Sequence, residues 1–133
     1  MPIPAKNITE LSAPYNHPGQ GDYARVLFVC SAGLLRSATA ATLGSQMDLN
    51  CRTCGTKAHA LIPLSLNLIA WADHIYFVNE KNYNRALKTF SGYDFAIKHL
   101  KNATVWNIPD IYPYMDPTLV LIITELLNKD FNT

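Results

Sequence analysis

The chain has 133 residues, of which 49% are hydrophobic and 16% are charged, with 11 Lys and Arg against 10 Asp and Glu. This length suits one domain with a buried core, and the hydrophobicity excludes a disordered chain. A net charge of +1 with no basic block excludes a protein that binds nucleic acid by neutralising its phosphates. The apolar stretches fall short of the ~20 residues that a membrane span needs, so we expect no membrane partner.

The cysteines and the N-terminal sequence bear on where the protein acts. There are three cysteines, and Cys51 and Cys54 are too close together for a disulfide between them to join distant parts of the chain. Reduced thiols are therefore expected, and the N-terminus shows no apolar core of a secretory signal. These features predict a cytoplasmic protein whose partner is a small or locally anionic substrate.

Residues 1–23 differ in composition from the rest of the chain. They hold four of the eight prolines and two of the six glycines, without helical or alternating periodicity. This pattern predicts an irregular N-terminal arm over 1–23, followed by a single α/β domain over 24–133.

Strands and helices alternate through the predicted domain. The run 25–30 is apolar without alternation, which indicates a strand buried on both faces, and a small-residue helix follows over 36–47. Further strands are predicted at 50–53, 74–78 and 103–108. Further helices are predicted after Pro63, over 82–90, and from Pro117 with Asp116 as N-cap. This alternation predicts an α/β fold with a parallel sheet.

The most informative stretch joins the first strand to the first helix. Cys30 ends the strand, Arg36 comes six residues later, and Ser37 follows it directly. A loop that enters a helix N-terminus points backbone N–H groups into one concavity, and this field favours a thiolate. Arg36 adds a planar fork for two phosphoryl oxygens, and Ser37 can donate a hydrogen bond to the sulfur. The pattern predicts a site that binds a tetrahedral oxyanion and attacks its central atom.

These residues resemble the active-site loop of the low-molecular-weight protein tyrosine phosphatases. The resemblance covers about residues 25–128 and includes the stretches 53–56, 71–77 and 108–112. It implies a four-stranded parallel sheet in flavodoxin-like order with helices on both faces. It also implies phosphate monoester hydrolysis through a phosphocysteine, without metal or cofactor, on a phosphorylated protein or a small phosphate monoester.

The resemblance assigns roles to residues of this chain. Cys30 would be the nucleophile, Arg36 would bind phosphate, and Ser37 would support the thiolate. Oxyanions such as phosphate or sulfate would lie in a cradle of loop amides, formed by Ser31, Ala32, Gly33, Leu34, Leu35 and Arg36. Tyr112 would wall the cleft and stack against an aromatic leaving group.

Two aspartates compete for the role of general acid, which protonates the leaving oxygen and later activates water. Asp110 lies in a loop after a strand and matches the family's aspartate, so it is the preferred candidate. Asp116 stays open because the family's acid is commonly followed by proline, although an N-cap role would explain it fully.

The chain also departs from the family at three places. Gly33 stands where the family usually has an asparagine that ties the loop together, although glycine can adopt the positive φ of such a loop. Leu35 stands where a second cysteine is common, which removes a protective disulfide within the loop. The segment between Thr56 and the third strand is shorter than usual, which bears on substrate preference.

Two other functions remain open at the level of sequence. One is thiol-dependent arsenate reduction on the same fold, for which Cys51 and Cys54 are the available resolving thiols. The other is a non-catalytic module that binds a phosphorylated ligand. Cys51 and Cys54 also form a Cys-x-x-Cys, but no second pair completes a zinc site.

Overall fold

The computed structural model describes residues 23–33 and 35–131. The predicted N-terminal arm lies outside these residues except for Tyr23, and Leu34 of the predicted phosphate cradle also lies outside them. The arm and its boundary with the domain therefore stay predictions.

A four-stranded sheet forms the centre of the domain, with β1 (Arg25–Cys30), β2 (Asn50–Gly55), β3 (His74–Phe77) and β4 (Thr104–Val105). The strands lie in the order β2-β1-β3-β4 and every pairing is parallel. All six residues of β1 are buried, because this strand has a neighbour on each side and helices over both faces. The predicted parallel sheet in flavodoxin-like order is confirmed.

Five helices cover the sheet: α1 (Arg36–Ser45), α2 (Leu66–Trp71), α3 (Glu80–Thr89), α4 (Asp94–Lys101) and α5 (Pro117–Phe131). Helices α1 and α5 share a core cluster with Val26 and Phe28 of β1. Helices α2, α3 and α4 share the other cluster with Leu27 and Val29. The period of two in β1 thus divides the core between the two faces, as predicted. In the described part of the chain, no helix is long and apolar enough to cross a membrane.

Two predicted elements differ in the structure, and one helix was not predicted. Pro63 does not begin a helix: it forms a bridge with Gly55, and α2 begins at Leu66 after the N-cap Ser65. The fourth strand has two residues rather than six, although the chain beyond it still donates hydrogen bonds from Trp106 and Ile108 to the end of β3. Helix α4, which buries Ala96 and Leu100, was not predicted.

The parallel arrangement determines where a site can form. Strands β1, β2 and β3 all end at the same edge of the sheet, at Cys30, Gly55 and Phe77. The segments that follow these strands therefore meet, and ligands of open α/β sheets bind at this edge. The described residues between β1 and α1, residues 31–33 and 35, lie at its centre and are called the β1–α1 loop below.

Candidate active site

The sulfur of Cys30 has two hydrogen-bond partners at the base of the β1–α1 loop. The backbone N–H of Gly33 donates to Sγ at 3.0 Å, and the hydroxyl oxygen of Ser37 is 3.0 Å from the same sulfur. Cys30 is 4% exposed and Ser37 is fully buried. These two contacts place the sulfur at the base of the loop, within reach of a ligand that the loop would hold.

Gly33 allows the loop to close around that sulfur. Its φ of +80° belongs to the left-handed region, which glycine can adopt without steric cost. A Cβ at this position would lie 3.1 Å from the carbonyl carbon of Cys54 on β2. The family's asparagine would therefore be crowded here, which explains in physical terms why glycine suits this loop.

Arg36 is the first residue of α1, and its side chain is 3% exposed. Its Nη1 donates to the carbonyl oxygen of Ile108 at 2.9 Å, which anchors one end of the guanidinium. Its Nε lies 3.6 Å from Oδ1 of Asp110. The guanidinium is thus held in a fixed plane beside the loop, as bidentate recognition of an oxyanion requires.

A cavity of about 220 Å³ brings the predicted residues together. It is lined by Cys30, Ser31, Ala32, Leu35, Arg36, Lys57 and Asp110. A thiol, two cationic side chains and a carboxylate therefore line one space large enough for a phosphate group. The structure thus places together three of the four predicted catalytic residues, and it places Ser37 directly behind the sulfur.

Asp116 does not line this cavity. Its Oδ1 accepts hydrogen bonds from the backbone N–H groups of Thr118 at 2.9 Å and Leu119 at 3.2 Å. These are the contacts of an N-cap at the start of α5. Because Asp110 lines the cavity and Asp116 does not, their positions favour Asp110 as the candidate acid.

Tyr112 lies half-buried against the core cluster that α1 and α5 share. It is absent from the residues that line the cavity. Its predicted stacking against a leaving group stays a prediction. Tyr114 is exposed, and its hydroxyl is 2.9 Å from Oγ1 of Thr42.

Sequence reasoning missed two residues at this edge of the sheet. Lys57 lines the cavity, because its backbone N–H donates to the carbonyl oxygen of Ser31 at 3.1 Å. Asn82 is buried, and its Oδ1 accepts from the hydroxyls of Ser31 and Thr56. The Asn-x-x-Asn that begins at Asn79, two residues after the end of β3, could have revealed Asn82, because that segment lies at the carboxyl edge of a parallel strand.

The remaining cysteines are free thiols that lie in or against the core. Burial raises the pKa of Cys51 to about 12, and burial together with the neighbouring Cys30 raises that of Cys54 further still. Both side chains therefore carry a proton at neutral pH. Among residues 23–33 and 35–131, no three His, Cys, Asp or Glu side chains converge to hold a metal.

Several solved phosphatase structures are similar to this one over most of both chains. YwlE arginine phosphatase from Geobacillus stearothermophilus is 17% identical with a TM-score of 0.59, over 80% of this chain and 92% of its own. Wzb from Vibrio vulnificus is 14% identical with a TM-score of 0.62, over 80% and 95%. The low-molecular-weight protein tyrosine phosphatase of Streptococcus pyogenes is 10% identical with a TM-score of 0.63, over 80% and 93%.

At these identities the similarity establishes the fold. The chain has the fold of the low-molecular-weight protein tyrosine phosphatases, as the sequence resemblance implied. No protein-family model matches the chain, and no curated protein sequence matches it significantly.

Proposed function

We propose that the protein hydrolyses phosphate monoesters through a phosphocysteine at Cys30. The observation that carries this proposal is the sulfur of Cys30, which has hydrogen-bond partners at 3.0 Å from Gly33 and Ser37 and opens into the cavity of Arg36 and Asp110. Such an arrangement suits in-line attack on a tetrahedral oxyanion whose charge a guanidinium neutralises.

In the first step, the Cys30 thiolate attacks phosphorus, so that a P–S bond forms and the ester P–O bond breaks. Arg36 holds two equatorial oxygens, and the loop amides donate to the charge that develops on them. Asp110 gives its proton to the leaving oxygen. The hydroxyl of Ser37 donates a hydrogen bond to the sulfur of Cys30 whenever that sulfur carries negative charge.

In the second step, the carboxylate of Asp110 takes a proton from water as that water attacks phosphorus. The P–S bond breaks, inorganic phosphate leaves, and the thiolate of Cys30 is restored. One carboxylate can serve both steps because it ends the first step deprotonated and the second step protonated.

The substrate is proposed to be a phosphorylated protein or a small phosphate monoester in the cytoplasm, where a reactive thiol stays reduced. Phosphate-type ligands are supported by similar structures, which include Wzb with benzylphosphonate, Wzb with phosphate, and a YwlE variant phosphorylated on an active-site serine. Tyrosine and arginine phosphatases are both among these structures, so a substrate panel should contain phosphotyrosine and phosphoarginine peptides.

The test compares hydrolysis of p-nitrophenyl phosphate and of this panel by wild type, Cys30→Ser and Cys51→Ser. Cys30→Ser should lose at least ~10³-fold in rate, which corresponds to about 4 kcal/mol of transition-state stabilisation, yet still bind phosphate. Cys51→Ser is the matched control and should keep the wild-type rate. Near-normal activity of Cys30→Ser would rule out the covalent mechanism.

The same assays separate the two other functions. An arsenate reductase would turn over arsenate with thioredoxin and would need Cys51 or Cys54, whose raised pKa values leave few thiolates at neutral pH. A binding module would bind phosphate without hydrolysing any ester of the panel.

A further inference from the structure

Asn82 lies in the first turn of α3, and its side chain, 2% exposed, reaches the segments that follow β1 and β2. We propose that Asn82 is a positioning residue that fixes the β1–α1 loop against the carboxyl end of β2 and thereby holds the oxyanion donors in place. This inference rests on the proposed function only in taking an oxyanion as the ligand of the loop.

One carboxamide oxygen joins two strand ends. Oδ1 of Asn82 accepts a hydrogen bond from Oγ of Ser31 at 3.2 Å and another from Oγ1 of Thr56 at 2.6 Å. Ser31 is the first residue after β1, and Thr56 is the first residue after β2. The side chain of Asn82 therefore bridges both segments from the end of β3, the strand on the other side of β1.

Asn79 fixes the orientation of the Asn82 amide. Nδ2 of Asn82 donates to Oδ1 of Asn79 at 2.8 Å, and the same oxygen accepts the backbone N–H of Asn82 at 2.9 Å. Because Asn79 presents an acceptor, the amide nitrogen must face it, and the carbonyl oxygen must face the two hydroxyls. Asn79, the N-cap of α3, thus orients the Asn82 amide so that its oxygen, the acceptor, faces Ser31 and Thr56.

The composition of the loop makes this contact important. Among the described loop residues, Ser31, Ala32, Gly33 and Leu35, only Ser31 carries a side chain that can form hydrogen bonds. Gly33 has no side chain to brace the loop, and a side chain there would crowd the backbone of Cys54. The contact of Ser31 with Asn82 at 3.2 Å is therefore the shorter of two side-chain tethers of the described loop, the other being the 3.5 Å hydrogen bond from the hydroxyl of Thr53 to the carbonyl oxygen of Gly33.

The backbone of the same region supports this interpretation. Thr56 donates from its N–H to the carbonyl oxygen of Cys30 at 2.9 Å, and Lys57 donates to that of Ser31 at 3.1 Å. A displacement of Thr56 or Ser31 would therefore move the residue that carries the nucleophile. Donors that stabilise an oxyanion must be held in place before it forms, and small displacements are costly in rate.

The test uses three variants in the full chain. Asn82→Ala removes the acceptor, the double variant Ser31→Ala/Thr56→Val removes both donors while leaving Asn82, and a triple variant combines the three changes. Asn84→Ala is the matched control, because Asn84 is an exposed asparagine of the same helix. The readouts are the kcat and KM for p-nitrophenyl phosphate, and the concentration of inorganic phosphate that protects Cys30 from iodoacetamide.

We expect Asn82→Ala to lower kcat/KM by ~10- to 100-fold and to weaken protection by phosphate about 10-fold. The Ser31→Ala/Thr56→Val variant should show the same losses, and the triple variant should lose little more, because residues that act through one another are not additive. A loss of thermal stability without a change in phosphate protection would overturn the proposal. So would a Ser31→Ala/Thr56→Val variant with wild-type protection, a result that stands even if Asn82→Ala does not fold.

Protection by phosphate needs no turnover, so the two proposals can fail separately. One outcome would refute the proposed function alone: the wild type hydrolyses none of the esters, yet phosphate protects its Cys30 from iodoacetamide and Asn82→Ala weakens that protection. Normal hydrolysis with an Asn82→Ala variant that matches Asn84→Ala would refute the positioning role alone.

Discussion

The guanidinium of Arg36 and the carboxylate of Asp110 face each other across the cavity, with Nε 3.6 Å from Oδ1. Arg36 is 3% exposed, whereas Asp110 is 67% exposed. An ion pair with one partner in water is worth at most ~1 kcal/mol, so an incoming phosphate can replace the carboxylate without a large cost. This pair therefore links the binding of phosphate to the position of the candidate acid.

Removing the charge of Asp110 should separate binding from turnover. Asp110→Asn should bind inorganic phosphate more tightly, because no carboxylate competes for Arg36 or repels the anion. Its turnover of phosphotyrosine should fall strongly, whereas an activated aryl phosphate should suffer less because its leaving group needs no proton. Phosphate inhibition constants and rates across leaving groups measure both effects. Weaker phosphate binding together with unchanged rates would contradict the account.

Asp116 should prove structural. Asp116→Asn should keep the wild-type rate and stability, because asparagine caps a helix as well as aspartate does. Asp116→Ala should lower the free energy of unfolding by about 1 kcal/mol, because the N–H groups of Thr118 and Leu119 lose their acceptor. Denaturant unfolding and steady-state rates measure these outcomes. If Asp116→Asn showed the leaving-group dependence and Asp110→Asn did not, the two assignments would be reversed.

Arg36→Lys should be damaging although it keeps the charge. A lysine cannot donate to the carbonyl oxygen of Ile108 and grip two equatorial oxygens of phosphate together. We expect a loss of about 100-fold in kcat/KM, or about 2.7 kcal/mol, with weaker inhibition by phosphate. An Arg36→Lys variant with the wild-type kcat/KM would refute the argument that a planar guanidinium must bind two phosphate oxygens.

Cys30 and Cys51 should differ in their reaction with iodoacetamide. Cys30 should react at pH 7, because its sulfur lines the cavity and has hydrogen-bond partners at Gly33 and Ser37. Cys51, with its pKa raised by burial to about 12, is almost wholly protonated at pH 7, and its thiolate fraction grows only as pH rises toward that value. Peptide mapping after timed labelling should find Cys30 modified first. Equal labelling of Cys51 at pH 7 would contradict this order.

The sequence predicted the parts of this site that depend on local order along the chain. Cys30, Arg36 and Ser37 are close in sequence, so the strand, loop and helix that hold them could be recognised from their spacing. The roles of Lys57 and Asn82 could not be recognised in the same way, because each meets the loop only through parallel pairing of β1 with β2 and β3. The start of α2 was misplaced because the bridge between Pro63 and Gly55 is a contact between separate segments.

The most direct test of the account is a search for the covalent intermediate. Wild type and Asp110→Asn are mixed with an activated aryl phosphate, quenched in acid within the first turnovers, digested, and analysed for the residue that carries the phosphoryl group. The account predicts a phosphoryl group on Cys30, with a larger trapped fraction in Asp110→Asn because the activation of water is impaired. Full turnover of the ester without any phosphoryl group on Cys30 in either protein would contradict it.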